Sequence, residues 1–393
     1  MNDSTHSSLR SQMGPLLFLV GIFFSNFLSR IIFSPLMPAI ENDLKIGHDE
    51  AGSLFLLNSL GYCLGVIGSG FVSSRLQHRK TIVLSSVAVG GLLLLISVSR
   101  SLWGIRIGLI LSGVAAGFYL PSGVATVTEL VRPGHLGKAF AAHELAPNLA
   151  FVAAPLLAEV LLSGSSWRGV LVILGIGSMI AGMVFAFWGK GGTSPSQTPD
   201  LRILRNILGE RSTWIMIGLF AFGTGASFGV YSMLPIYLVS ERGMGRAWAN
   251  TWLGLSRILT PGASLLAGWV TDHLGLKRTF TGIFLATSVT TVMLGIASGS
   301  WIIWVIFIQS VFAVCFFPAG FTALSRIGSP KAKNIVVSVI MPFGFLGLGV
   351  IPAGIGILGE MGFFPLGFVI LGALCASGII LVQYLKFPVE QTQ

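Results

Sequence analysis

The segment Gly70-Phe-Val-Ser-Ser-Arg-Leu-Gln-His-Arg-Lys80 returns 198 residues later as Gly268-Trp-Val-Thr-Asp-His-Leu-Gly-Leu-Lys-Arg278. Each copy is a short polar stretch between apolar runs, beginning on glycine and ending on two cations. The rest of the chain keeps nearly the same offset. Pro38 of Leu-Met-Pro matches Pro235 of Met-Leu-Pro. Pro121 and Gly123 match Pro318 and Gly320, Pro133 matches Pro330, and Pro155 matches Pro352, all at an offset of 197. One proline match is chance; a series in order marks an internal repeat.

Around these anchors the composition is that of a membrane protein. Of 393 residues, 53% are hydrophobic and 10% charged, with a mean hydropathy of +0.85. A soluble domain covers itself with charge, whereas a bilayer span needs about 20 apolar residues. Apolar stretches cover 14–40, 51–73, 81–99, 102–128, 138–162, 169–189, 213–239, 248–271, 279–298, 301–325, 334–358 and 363–385. They predict an all-α polytopic fold of twelve transmembrane helices in two six-helix bundles, residues 1–188 and 213–393, joined by a polar linker at 189–212. The stretch from Gly14 is too long for the apolar core of a signal peptide and reads as an uncleaved first helix. Cys63, Cys315 and Cys375 lie inside apolar stretches, as packing residues rather than a disulfide or metal set.

The net charge of +10 could suggest nucleic acid, but the basic residues sit between spans. Sixteen Lys and Arg fall on one side of the predicted bilayer and five on the other, three more lying within spans. The positive-inside bias puts both termini and the linker in the cytoplasm of an inner-membrane protein. The first outer loop agrees, with Glu41, Asp43, Asp49 and Glu50 around a single Lys45.

The two glycine-led segments resemble the signature Gly-x-Leu-Ala-Asp-Arg-x-Gly-Arg-Arg between helices 2 and 3 of the major facilitator superfamily, and its echo between helices 8 and 9. The resemblance implies halves that rock about a site at the membrane midplane, and a cytoplasmic gate involving Gly70, Arg75, Arg79, Gly268, Asp272, Lys277 and Arg278. The N-terminal copy departs from the pattern, with Ser74 for Asp and Gln77 for Gly; the C-terminal copy has His273 for Arg. Ala150-x-x-x-Ala154-Pro155-x-x-Ala158 is similar to a degraded Gly-x-x-x-Gly-Pro-x-x-Gly pattern of drug–proton antiporters. Ala replaces every Gly, and small residues that let helices pack closely are the plainer explanation, as they are for Gly61/Gly65 and Gly113/Gly117.

Ionisable residues inside spans are costly, roughly 2.5–3.5 kcal/mol at a helix centre on insertion scales. Arg106, near an outer end, is explained by snorkelling. Arg30 lies roughly 24 Å along its helix from Gly14, and Arg257 roughly 22 Å from Asp272, so arginines of the two repeats share a depth. Arg30-x-x-Phe33-x-x-x-Met37-Pro38 is similar to the end of helix 1 in organophosphate:phosphate and related anion transporters. There the equivalent arginine binds the substrate's anionic group, which implies the same for Arg30; a structural contact is the other reading. Glu144, roughly 9 Å above Lys138 and beside His143, reads either as the carrier of a coupling proton or as a contact to a basic loop residue. Glu159 is the acidic residue whose height allows it to pair with either arginine. Tyr62, Tyr119 and Tyr231 are candidates to line the path.

No His-Glu-x-x-His, Gly-x-Ser-x-Gly, paired intramembrane Asp or phosphate-binding loop is present, so neither an enzyme nor an ATP-driven pump is expected. The expectation is a secondary transporter of a small anion, with proton-driven efflux of lipophilic compounds as the alternative. No cofactor or metal is called for. The expected partners are a small solute, the lipid bilayer and a coupling ion such as a proton, with the protein acting as a monomer.

Overall fold

The computed structural model describes residues 9–132, 135–196, 205, 207–325 and 340–385. The N-terminal repeat contains α1 (Leu9–Ile31), α2 (Phe33–Leu44), α3 (His48–Val98), α4 (Leu102–Gly117), α5 (Tyr119–Leu130), α6 (Leu136–Leu162) and α7 (Trp167–Trp188). The C-terminal repeat contains α8 (Arg211–Thr224), a π-helical turn (Gly225–Gly229), α9 (Val230–Ser240), α10 (Arg246–Ser256), α11 (Thr260–Leu274), α12 (Leu276–Ile296), α13 (Trp301–Val314), α14 (Phe316–Ser325), α15 (Gly347–Glu360) and α16 (Phe364–Tyr384). Among the described residues the regular structure is all helix, and ten helical stretches are long and apolar enough to cross a membrane. Large apolar side chains lie bare on the outside, Leu265 at 78% and Phe187 at 77% exposure, as a lipid-facing surface requires.

Two features account for the difference between ten and the twelve spans expected. The first is α3, whose 51 residues would reach roughly 76 Å as one straight helix, against a hydrocarbon core of about 30 Å. It reverses at Gln77 (φ 69°, ψ 157°). Its ends meet: Glu41 holds His48 at the start, and Arg168 bonds both Asp43 and the Ser99 carbonyl just past the finish. The second is the stretch expected at 248–271, which breaks between α10 and α11. Pro261 has no N–H for the Arg257 carbonyl, which is taken instead by the Thr260 amide and hydroxyl at 3.2 and 2.7 Å.

The repeat is visible in the backbone. The reversal at Gln77 recurs at Gly275 (φ 78°, ψ 156°), where glycine adopts at no cost a conformation that strains glutamine. The break at Phe118 between α4 and α5 recurs at Cys315 between α13 and α14.

Gly61 and Gly65 on α3 meet Gly113 and Gly117 on α4 at backbone contact. A methyl group at Gly61, Gly65, Gly113 or Gly117 would strike the carbonyl oxygen of Ile110, Val114, Asn58 or Tyr62 respectively. The small-residue packing expected from sequence is present here. Gly113→Leu should therefore destabilise the protein by about 1–3 kcal/mol or more, read as a lower Tm in detergent; an unchanged Tm would show that the helices part without cost.

Candidate functional site

The repeats meet along a seam between α2 and α9, α3 and α15, and α6 and α10. Its polar ties cluster toward the end that carries Asp43 and His48. The Ser34 hydroxyl donates to the Tyr231 carbonyl at 2.7 Å, and the Tyr231 hydroxyl to the Phe151 carbonyl at 3.1 Å. Arg246 pairs with Glu159 at 3.0 Å, and the Asn250 amide donates to the same carboxylate at 2.6 Å and to the Pro35 carbonyl at 3.1 Å. A Glu360 carboxylate oxygen accepts from the His48 backbone amide at 2.8 Å. Gly52 and Gly356 let α3 and α15 touch at backbone distance. This end is closed.

The glycine-led segments lie at the other end. Arg75, Asp272 and Arg278 are exposed, and Gly70 and Gly268 are partly covered. Arg79 donates to the Ala186 carbonyl at 2.9 Å while its amide donates to the Gly192 carbonyl at 2.7 Å, and Lys277 reaches the Gln383 carbonyl at 3.3 Å. None of these bonds crosses from one repeat to the other, and among the described residues no ion pair ties these segments across the seam. The start of the linker is strapped onto the first of them, the Ser196 amide donating to the Ser73 carbonyl at 3.3 Å and the His78 amide to the Ser194 carbonyl at 3.4 Å, while Thr193 and Ser194 donate to Glu129 of α5 at 2.9 and 3.1 Å. The remainder of the predicted linker falls partly outside the described residues, as do Pro133 and Pro330.

Arg30 and Arg257 are both buried, at 9% and 2% exposure. Arg30 stands at the end of α1, just before the break at Ile32, with its guanidinium 3.6 Å from the Tyr62 ring centre. Phe33, Met37, Phe55 and Asn58 line a small cavity beside it. Arg257 stands where α10 breaks, 5.1 Å from the ring centres of both Phe151 and Tyr231, and donates to the Ser227 carbonyl at 2.8 Å. The π-helical turn places Ser227 there, and such turns recur at functional sites. The Nε of each arginine is buried without a hydrogen-bond partner. Among the described residues, no carboxylate forms an ion pair with either. Glu159, whose height allowed it, is engaged by Arg246 and Asn250. Among the described residues the arginines are thus not neutralised by a carboxylate, a costly arrangement that an anion would relieve.

Tyr62 and Tyr231 belong to this site. Tyr119 does not: it is fully buried with His143 and Phe23 in a separate cluster between α1, α5 and α6. Glu144 is half exposed, 3.7 Å from the His143 Nδ1. Arg106 pairs with Glu50 at 3.4 Å over the Trp103 ring, as its position near a helix end suggests.

Phe27, Phe151, Ser227 and Asn250 were missed in sequence. Phe27 and Phe151 pack edge to face at 5.2 Å, and Phe151 stacks on Phe228 at 4.8 Å across the seam. Two signals were legible: Ser227 sits between glycines in Gly225-Ala-Ser-Phe-Gly229, and Asn250 is an uncharged amide inside an apolar stretch.

The sequence profile of the Major Facilitator Superfamily matches residues 19–263. A cis,cis-muconate transport protein of Acinetobacter baylyi is 22% identical over 375 residues, covering 91% of this chain and 90% of that protein. An uncharacterised MFS-type transporter of Bacillus subtilis, YceJ, is 26% identical over 265 residues, covering 63% and 64% of the two chains. Among solved structures, a bacterial homologue of the human lysosomal transporter Spinster, inward-facing and unoccupied, superposes with a TM-score of 0.77 at 16% identity, over 96% of this chain and 95% of that one.

Proposed function

The chain belongs to the Major Facilitator Superfamily and is a multi-pass membrane transporter, not an enzyme; from that premise we propose that it moves a small organic anion across the inner membrane by alternating access. One observation carries the reading: Arg30 and Arg257, contributed by the two repeats, are buried on aromatic faces with an unpartnered Nε each and, among the described residues, no carboxylate paired with them. A carboxylate matches the planar fork of a guanidinium. The similarity to a muconate transport protein points the same way and suggests a dicarboxylate as the first probe.

In this reading the sealed end faces outward, the termini and the linker lie in the cytoplasm, and the structure is the inward-facing state. The glycine-led segments, with Arg75, Arg79, Asp272, Lys277 and Arg278, would close the cytoplasmic side only when the outer seam opens. Residues 1–188 and 213–393 would act as the two moving bodies. An anion held by both arginines draws the repeats together, which links occupancy to rocking.

A thermal-shift panel on purified protein tests the substrate class, because a ligand stabilises the state it binds. Carboxylates, cis,cis-muconate first, are expected to raise Tm in a concentration-dependent way. Stabilisation by lipophilic cations alone would instead support drug efflux.

A further inference from the structure

His143 on α6 is completely buried, and its hydrogen bonds fix where its proton lies. The Tyr119 hydroxyl is 3.0 Å from the Leu19 carbonyl and 3.1 Å from the His143 Nε2. A carbonyl oxygen only accepts, so the single hydroxyl proton goes to Leu19. The Tyr119 oxygen must then accept from His143, which places a hydrogen on Nε2. In a neutral ring that leaves Nδ1 as a bare lone pair, and Nδ1 is buried without a hydrogen-bond partner. The ring has little freedom to turn away: it stacks on Phe23 at 4.4 Å, with Tyr119 lying parallel to it, 4° from coplanar.

The ionisable group nearest this nitrogen is Glu144, 3.7 Å away and half exposed. Glu144 lies seven residues before Phe151 on α6, two helical turns along one face. Phe151 touches Phe228, Tyr231 and Arg257 of the other repeat. The face that carries Glu144 is therefore the one turned toward the path between the repeats.

We propose that Nδ1 of His143 is the coupling-proton site of this transporter, loaded from the inter-repeat path through Glu144. This rests on the reading of the chain as a secondary transporter, and it moves the proton from the carboxylate expected in sequence to the ring beside it. Glu144 takes a proton from water and passes it to Nδ1; Nδ1 becomes N–H and donates back to the carboxylate. Nothing else need break, because the Nε2–H bond to Tyr119 is kept in the imidazolium. The other groups around the ring are α1 through Leu19 and Phe23, which carry no charge, and α5 through Tyr119. The acidic residue of α5, Glu129, is committed to Thr193 and Ser194. On α6 itself, Lys138 and Glu159 lie roughly 7 and 24 Å along the axis. Loading takes the His143–Glu144 pair from a net charge of about −1 to about 0, which removes a negative charge from the route of an incoming anion. Proton and anion thus bind cooperatively, the condition for symport.

The test is a titration of protein labelled with nitrogen-15 at its six histidines, in micelles and without substrate. Signals of His143 are assigned by their loss in His143→Gln, and independently by their selective shift in Tyr119→Phe. At high pH the account expects Nε2 protonated and Nδ1 bare. As pH falls, Nδ1 should protonate while Nε2 stays protonated. Glu144→Gln should move the Nδ1 signal of the loaded ring while leaving Nε2 as it is, because the carboxylate to which Nδ1–H donates is gone. An Nδ1–H tautomer at high pH, or a His143 that stays neutral throughout while the protein remains folded, would overturn the proposal. No anion is present, so the titration reads the proton site independently of whether the arginines bind a carboxylate.

Discussion

Replacing Arg30 or Arg257 with Gln is expected to weaken binding of a dicarboxylate, with cis,cis-muconate as the probe, by roughly 30-fold to a few thousand-fold. Truncating one partner of a buried, hydrogen-bonded charge pair costs about 2–5 kcal/mol, and about 1.4 kcal/mol is tenfold. Gln keeps much of the side-chain volume, so the rings of Tyr62, Phe151 and Tyr231 retain a neighbour and the loss reports on charge. Lys should rescue only in part, since an ammonium cannot offer two parallel donors to one carboxylate. The variants should be no less stable than the wild type without ligand, because each removes a buried cation that has no carboxylate partner. Titration calorimetry on purified protein measures the first effect and the ligand-free Tm the second. Wild-type affinity in either variant would return that arginine to a structural role.

A second large effect is expected at the end of the seam that the proposal turns outward. Glu159 of α6 accepts from Arg246 and Asn250 of α10, and so ties α10 to α6 and orients the Asn250 amide that also bonds the Pro35 carbonyl of α2. Arg246 is 39% exposed, which screens that pair to below about 1 kcal/mol, but with the Asn250 hydrogen bond to the same carboxylate the loss of Glu159 is placed at about 1–2 kcal/mol. That still shifts the balance between closed and open seams by a factor of roughly 5–30. Ser34 is fully buried on the seam. With the three native cysteines replaced, Ser34→Cys should react slowly with a membrane-impermeant maleimide applied to intact cells, and 5- to 30-fold faster when Glu159→Ala is added. Equal rates would show that Glu159 is not the latch. Labelling only after permeabilisation would show that the seam faces the cytoplasm and reverse the orientation read from the basic residues.

The fold was legible because the repeat is written in residues that control backbone. Pro38 and Pro235, or Gly70 and Gly268, recur since both copies need the same irregularities, and the structure shows the reversal and the mid-helix break repeated. The break at Arg257 was less legible: Pro261 signals it, but the apolar run continues through it. At the site, Arg30 and Arg257 stood out because charge inside an apolar stretch needs a reason. Depth arithmetic gives the height of a residue but not its direction around the helix. That is why Glu159 remained a candidate partner for the arginines until the structure turned it toward Arg246, and why Tyr119 was grouped with Tyr62 and Tyr231. Phe151 was hidden among 28 phenylalanines; only its position opposite Tyr231 distinguishes it.

The central claim is that one anion is held jointly by an arginine from each repeat, and a double-mutant cycle tests it most directly. Affinity for cis,cis-muconate is measured calorimetrically for the wild type, Arg30→Gln, Arg257→Gln and the double variant. If both guanidiniums must engage one anion to close the site, the double variant binds scarcely more weakly than either single, and the coupling energy nearly equals one single loss. Losses that simply add would mean two independent contacts, and single variants that bind as the wild type does would contradict an anion site between the repeats.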